Sequence, residues 1–441
     1  MAKVVTHKGL LLPRRQVLRR GLAGLASALV GPRLFGCGDD GSTAPDASPA
    51  TDANADATLD ASGMDADAAA ALTELPERTV PARPALRSLI AEMGPLTPPD
   101  PNGVRLATGF TSRVLATSQQ RVPGTMHEWH LAPDGGATFA TEDDGWIYVS
   151  NSEVPFIGGV GALRFDSAGT LTSAYSMLRD TQVNCAGGPT PWHSWLSCEE
   201  IEGGRVFECD PWGEHEAILR PALGFFKHEA AAVDPDQGVV YLTEDERRGG
   251  FYRFIPNGRT PLGRPNLSEG TLEIASVDMM GAVTWFEVPD PNLAGPVPTR
   301  QQVPESTEFN GGEGIWYHDG MVYFTTKGDT RVWAYEVATS QIAVLYDGEA
   351  IANPPLTGVD NVTVSCCGDV LVAEDGGSMQ IVAILPSGEL KPLMQIVGQD
   401  RSEITGPAFD PSGTRLYFSS QRGIDGNGIT YEIEGPFHEP A

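Results

Sequence analysis

One unit that recurs six times predicts an all-β fold built as a six-bladed β-propeller. Two further observations agree with it. No long stretch shows helical periodicity, and Gly, Pro, Asp or Asn separates one short apolar run from the next. A β-sandwich would use such strands but gives the recurrence no cause. With 441 residues and 41% hydrophobic residues, one large all-β domain can fill its own core. The 58 acidic residues against 30 Lys and Arg leave a formal net charge of −28. Such a surface repels phosphate polymers and attracts cations, so nucleic acid is excluded as a partner.

The first 37 residues read as an export address. Pro13-Arg14-Arg15-Gln16-Val17-Leu18-Arg19-Arg20 precedes an apolar run from Gly21 to Val30, the pattern of a twin-arginine signal. The run is too short to span a bilayer permanently. Leu34-Phe35-Gly36-Cys37 resembles a lipobox, with Cys37 as the lipidated residue. The expectation is therefore export by the twin-arginine route to the periplasm or cell surface, touching the membrane only through a lipid anchor. Residues 38–75, dominated by Asp, Ala, Ser, Thr and Gly, bury too little apolar surface to offset ordering entropy and read as a disordered linker. Residues 76–105, rich in proline, read as a segment that wraps into the propeller domain, 106–441.

Each unit begins with an acidic or polar group, passes through a β-turn and ends in a strand closed by carboxylates or amides. The first runs from His127-Glu128-Trp129-His130 through Asp134-Gly135-Gly136 to Glu142-Asp143. The second, from Asn184-Cys185 to Ser197-Cys198-Glu199-Glu200, sets a soft ligand, a tight Ala186-Gly187-Gly188 backbone and two hard ligands close together. The third spans Lys227-His228-Glu229-Ala230 to Thr243-Glu244-Asp245, and the fourth Gly312-Glu313-Gly314 to Phe324-Thr325-Thr326. The fifth joins Asp360-Asn361 to Ala373-Glu374-Asp375, and the last Thr405-Gly406-Pro407 to Ser419-Ser420-Gln421. Most spacings are roughly 45 to 58 residues, the size of propeller blades. The longer gap is filled by a proline-rich insertion at 256–305, expected to loop outward.

In a propeller, equivalent positions of every blade converge on the central channel. Glu128, Glu200, Glu229, Glu244, Glu313, Asp360 and Glu374 hold comparable places in their units. Carboxylates brought together repel and must take up protons or cations, for which calcium is the natural hard partner. Apart from Cys37 the cysteines are Cys185, Cys198, Cys209, Cys366 and Cys367. Their odd number leaves at least one outside any intramolecular disulfide, as a metal ligand or a buried thiol. Cys366-Cys367 remains open as a vicinal pair, as partners of other cysteines or as buried thiols.

Several chemistries are missing from the sequence. There is no Gly-x-Ser-x-Gly elbow, no P-loop and no Gly-x-Gly-x-x-Gly opening a helix. His127-Glu128-Trp129-His130 is one residue short of a metalloprotease motif, and eight histidines in all argue against a His-rich zinc site.

Asn184-Cys185-Ala186-Gly187-Gly188, Pro191-Trp192 and Cys198-Glu199-Glu200 resemble the signature of the PhoX-type alkaline phosphatases. The resemblance continues through Lys227-His228-Glu229-Ala230-Ala231, Phe309-Asn310-Gly311-Gly312-Glu313-Gly314, Asp360-Asn361 and Ile404-Thr405-Gly406-Pro407-Ala408-Phe409, and covers about residues 105–435. It implies a propeller funnel holding iron and calcium. By motif position Cys185, Glu229 and Glu313 would hold iron, and Glu200, Glu244, Asp360 and Glu374 calcium. It further implies metal-assisted hydrolysis of a small phosphorylated substrate by a monomer. Lys227 and Arg422 are the nearest basic candidates for binding the phosphate. Two departures stand out. The family pattern has an arginine where Gly311 stands, and Gln-His-Pro-Gly where Gln421-Arg422-Gly423 stands. A calcium-dependent lactonase-type hydrolase and a non-catalytic surface propeller with structural metals are the alternatives. Cys185 separates them, because a lactonase has no use for a thiolate ligand.

Overall fold

The computed structural model describes residues 74–441. The twin-arginine segment, Cys37 and the expected linker up to residue 73 lie outside the described residues. Six antiparallel sheets follow one another along the chain, each with its first strand innermost. Blade 1 comprises Pro133–Ala140, Trp146–Ser152, Gly158–Phe165 and Leu171–Thr181, and blade 2 Asn184–Pro189, Trp195–Glu199, Val206–Cys209 and Ile218–Leu219. Blade 3 has five strands, His228–Val233, Val240–Glu244, Phe251–Pro256, Gly270–Val277 and Val283–Glu287. The insertion expected to loop outward therefore supplies the last two strands of this sheet. Blade 4 runs through Gly312–His318, Met321–Thr326, Arg331–Glu336 and Gln341–Asp347, and blade 5 through Val359–Val364, Val370–Glu374, Gln380–Ile384 and Leu390–Ile396. Blade 6, Ile404–Phe409, Arg415–Ser420 and Ile429–Glu434, is completed by Thr111–Thr117 from the other end of the chain, which closes the ring.

The start of the domain is bound at two more places. Val104–Leu106 adds a fifth strand to the edge of blade 5, and Leu86–Ser88 pairs with His438–Pro440. The hydrophobic core is divided into six wedges, one between each pair of neighbouring blades. Phe139, Val149 and Trp195 fill the wedge between blades 1 and 2, for example, and Phe251, Ile315 and Phe324 that between blades 3 and 4. A blade is thus apolar on both faces, and its inner strands read as continuously buried rather than alternating.

Every inner strand carries a register shift near its start, where one extra residue bends it toward the axis. Small residues follow the bend because neighbouring inner strands touch there. A Cβ on Gly135 would lie 2.5 Å from the Ala186 Cα, and one on Gly188 would overlap the Ala231 carbonyl. Gly188→Ala should therefore cost about 3 kcal/mol or more, since the obstacle is backbone and cannot rotate away. Thermal melting would show a drop of several degrees. Gly94→Ala, where an added Cβ meets nothing within 4 Å, should leave the melting temperature unchanged.

Candidate metal centre

The bend fixes which side chains meet. One residue into each inner strand stand Asp134, Cys185, Glu229, Glu313, Asp360 and, in blade 6, Thr405. The four acids and the thiol among them are buried. Hydrogen bonds from the preceding blade hold their backbone in place. Asn151 Nδ2 donates to the Cys185 carbonyl at 3.1 Å, Thr243 Oγ1 to that of Glu313 at 2.5 Å and Thr325 Oγ1 to that of Asp360. Asn151 is itself fixed by Trp195 Nε1 and Ser197 Oγ, so the tryptophan of the Asn184–Glu200 stretch positions the cysteine.

A second tier comes from the residue just after each second strand. The inner-strand starts pair with Ser152, Glu199, Glu244, Thr326, Glu374 and Ser420. The next residues, Glu153, Glu200, Asp245, Lys327, Asp375 and Gln421, stand at the mouth above the buried tier. Glu403, which precedes the last inner strand, joins them.

This geometry corrects three sequence expectations. Glu128 sits on an exposed loop bridged to Arg121, and Asp134 takes its place in the ring. Glu244 accepts from Gly250 N at 2.9 Å, Tyr252 Oη at 2.7 Å and Arg300 Nη1 at 2.9 Å, all outside the channel. Glu374 accepts from the backbone N–H groups of Thr357, Ser378 and Gln380. Both carboxylates anchor loops, because successive strand residues point to opposite sides. Asp245 and Asp375, one residue on, face the mouth instead. The structure places Cys185, Glu200, Glu229, Glu313 and Asp360 in the channel cluster.

Donor atoms of Glu153, Cys185 and Glu200 lie within 4.8 Å of one another, as do those of Asp134, Glu153 and Glu403, and of Glu229, Glu313 and Asp360. Three cations and one amide face them. Lys227 Nζ lies 3.0 Å from Glu200 Oε1 and 3.1 Å from Asp245 Oδ2. Lys327 Nζ lies 3.2 Å from Glu313 Oε1, 2.9 Å from Asp360 Oδ2 and 3.2 Å from Asp375 Oδ2. Arg422 Nη1 pairs with Glu403 Oε1 at 3.1 Å with its side chain half exposed, and Gln421 Nε2 bridges Asp134 and Glu153.

The acids still outnumber these partners. Burial, reinforced by the neighbouring carboxylates, holds Asp134, Glu229, Glu313 and Glu403 well above the usual carboxyl range. Burial and a hydrogen bond with Asp245 push Glu200 up to about 8. Burial also raises the Cys185 thiol, which donates to Glu229 Oε1 at 3.3 Å. The residues fit a bound cation. Glu229 Oε2 is buried without a hydrogen-bond partner, and a cation would take the place of the protons that these groups otherwise retain.

The sign of the pH dependence follows. A carboxyl raised in the folded state contributes stability that is complete below its unfolded pKa and is lost as pH rises through the folded value. His130 and His228, pushed down to about 3 by burial, act oppositely, and their loss is confined below about pH 6.5. Metal-stripped protein should therefore lose melting temperature as pH rises from about 6.5 through about 8. Added calcium should restore it, because a ligand that binds only the folded state stabilises it. A melting temperature that rises over this window in calcium-free buffer would contradict the charge assignment.

The PhoX alkaline phosphatase family model matches residues 159–205 and 202–343, most of blades 1 to 4. No curated protein matches the chain. Among solved structures, Pseudomonas fluorescens PhoX in complex with vanadate, a transition state analogue, superposes with a TM-score of 0.64 at 16% identity, covering 78% of this chain and 97% of that one. A nidogen–laminin complex matches with a TM-score of 0.40 at 11% identity, covering 62% and 85% of the two chains. The mitotic checkpoint complex matches with a TM-score of 0.41 at 11% identity, covering 76% and 96%. Neither of these weaker likenesses bears on the site. The matched segments carry Cys185, Glu200, Glu229 and Glu313, and the chain shares the propeller fold of the Pseudomonas fluorescens structure.

Proposed function

We propose that the acidic mouth is the active site of an extracytoplasmic, metal-dependent phosphatase that hydrolyses phosphomonoesters with iron and calcium. The observation that carries this reading is the buried Cys185–Glu229 pair, with Glu229 Oε2 unpartnered, inside a cluster of carboxyls in a PhoX-type propeller. Cys185 and Glu229, with Glu153 and Glu200 beside them, would hold iron, and the mouth carboxylates Asp245, Asp375 and Glu403 offer the hard oxygens that calcium takes. Bound metal would neutralise the phosphoryl oxygens and activate an oxygen nucleophile. The remaining work falls to the chain itself. Arg422, half exposed and held at one nitrogen by Glu403, leaves guanidinium N–H groups for a phosphate oxygen. Lys227, fixed between two carboxylates, sets positive charge beside Glu200.

Gly311 bears on the same question. At φ +71° it accepts a hydrogen bond from Lys327 N at 2.8 Å, and a Cβ there would lie 3.2 Å from Asp245 Oδ1. A side chain at 311 would thus enter the same corner that Lys327 now supplies with charge, and we assign Lys327 to the work of the missing arginine. The lactonase alternative loses its motif. Asn361 donates to Asp360 and accepts from Gly406 N at 2.8 Å, so its amide is engaged by the scaffold. The exported protein is expected to reach its compartment through the twin-arginine signal and Cys37. Among the described residues no helix is long and apolar enough to cross a membrane.

Protein exported folded from its own host should contain iron and calcium and hydrolyse p-nitrophenyl phosphate. Cys185→Ser should lose iron and lower kcat/KM by about 100-fold or more, as expected when several kcal/mol of transition-state stabilisation are removed. Unaltered hydrolysis in that variant would refute the assignment. Lys327→Met should fold, bind additional divalent cation and lower kcat/KM by about 10-fold or more. An unchanged rate would remove Lys327 from the site.

A further inference from the structure

The end of the propeller opposite the acidic mouth holds a second group of ligands. There the inner strands end around a cavity of about 560 Å³, roofed by Val80–Leu86 and bordered by Cys366 and His438. Cys366 and Cys367 form the turn between the first two strands of blade 5, and His438 lies on the C-terminal strand that pairs with Leu86–Ser88. The two Sγ atoms and a ring nitrogen of His438 lie within 4.8 Å of one another.

Independent observations make these residues a ligand set. His438 Nδ1 donates to the Gly413 carbonyl at 2.7 Å, which leaves Nε2 as the unprotonated nitrogen. That Nε2 is buried and has no hydrogen-bond partner, on a residue only 3% exposed. A backbone carbonyl on one ring nitrogen and a free lone pair on the other is the arrangement that orients metal-bound histidines. The glycine is required for it, because a Cβ at Gly413 would lie 2.9 Å from His438 Nδ1.

The sulfur geometry agrees. The two Sγ atoms are 3.6 Å apart, far beyond a disulfide bond of about 2.05 Å. Two thiolates on one tetrahedral ion, each at about 2.3 Å, would be about 3.8 Å apart. The Cys367 thiol donates to the Leu86 carbonyl at 3.2 Å, a bond it would give up with its proton on binding an ion. Cys366 is exposed, so an ion can enter and a water can take its fourth position.

We propose that Cys366, Cys367 and His438 form a second metal site, for a thiophilic closed-shell ion such as zinc. It would clasp the blade 5 turn, the Leu86–Ser88 strand and the C-terminal strand together. Binding one zinc(II) ion releases the two thiol protons and changes no oxidation state. The site is structural and does not depend on the chemistry of the acidic mouth.

Cobalt(II) and zinc(II) titrations of the metal-stripped, reduced protein test it. Cobalt should give a thiolate-to-metal charge-transfer absorption that persists in Cys185→Ser and disappears in the double variant Cys366→Ser/Cys367→Ser. Zinc should raise the melting temperature of wild type more than that of the double variant. His438→Gln should weaken zinc binding by about 10-fold or more. Should that variant fail to fold, the double serine variant, altered only on a surface turn, still decides the matter. Equal cobalt spectra and zinc stoichiometry in wild type and the double variant would overturn the proposal. So would isolation of the protein with a Cys366–Cys367 disulfide that, once reduced, takes up no zinc. Hydrolysis of p-nitrophenyl phosphate by the double variant should match wild type, which separates this site from the mouth.

Discussion

Six bent inner strands packed backbone to backbone around one axis are the constraint on which the rest depends. The contact is possible only because Gly135, Gly188 and Gly314 face a neighbouring strand without a side chain between. Once the strands are this close, the residue at each bend has nowhere to point but toward its counterparts. Asp134, Glu229, Glu313 and Asp360 are then held together out of water, where like charges repel far more strongly than at a surface. The fold creates an electrostatic problem that its chemistry has to solve.

That repulsion pushes the blades apart, and the ring holds because it is closed and wedged. Burial between each pair of blades supplies an attraction that has no direction and does not depend on pH. The pairing of Thr111–Thr117 with the last blade removes the seam at which a ring would open. The same closure places the beginning of the domain beside its end, where Leu86–Ser88 and His438–Pro440 pair.

How much of this was legible in the sequence follows from what a repeat can encode. The six units and the bend positions Cys185, Glu229, Glu313 and Asp360 share a recognisable local pattern, so they could be read in order. Asp134 was hidden behind His127-Glu128-Trp129-His130, which imitates the start of a unit but lies in a loop. Glu244 and Glu374 each stand next to a second acid, and one residue of register decides which of the two faces the axis. The pair Glu199-Glu200 held the key, since Glu199 binds Arg205 while Glu200 enters the mouth. The same offset gives Asp245 and Asp375. Lys327 and Glu403 had no such signal, because their place depends on turns whose geometry is set by the neighbouring blade. The insertion at 256–305 hid its strands behind prolines that fall at turns and in the loop beyond them.

The cations of the mouth are unevenly distributed, and this bears on where metal belongs. Around blades 4 and 5, Lys327 contacts three carboxylates at once, a fixed charge that no chelator can remove. Among Asp134, Glu153 and Cys185, Gln421 contributes only a neutral amide, while Lys227 is shared between Glu200 and Asp245 and Arg422 is held by Glu403. Glu229 lies between the two groups, with Cys185 on one side and Glu313 and Asp360 on the other. An ammonium ion carries one charge and cannot act as a Lewis acid. A multivalent metal ion offers both more charge and the power to activate an oxygen nucleophile. Neither Cys185 nor Glu229 is paired with a lysine or arginine among the described residues, and Glu229 Oε2 has no hydrogen-bond partner. Charge balance and ligand chemistry, argued separately, therefore both support the metal position proposed beside Cys185.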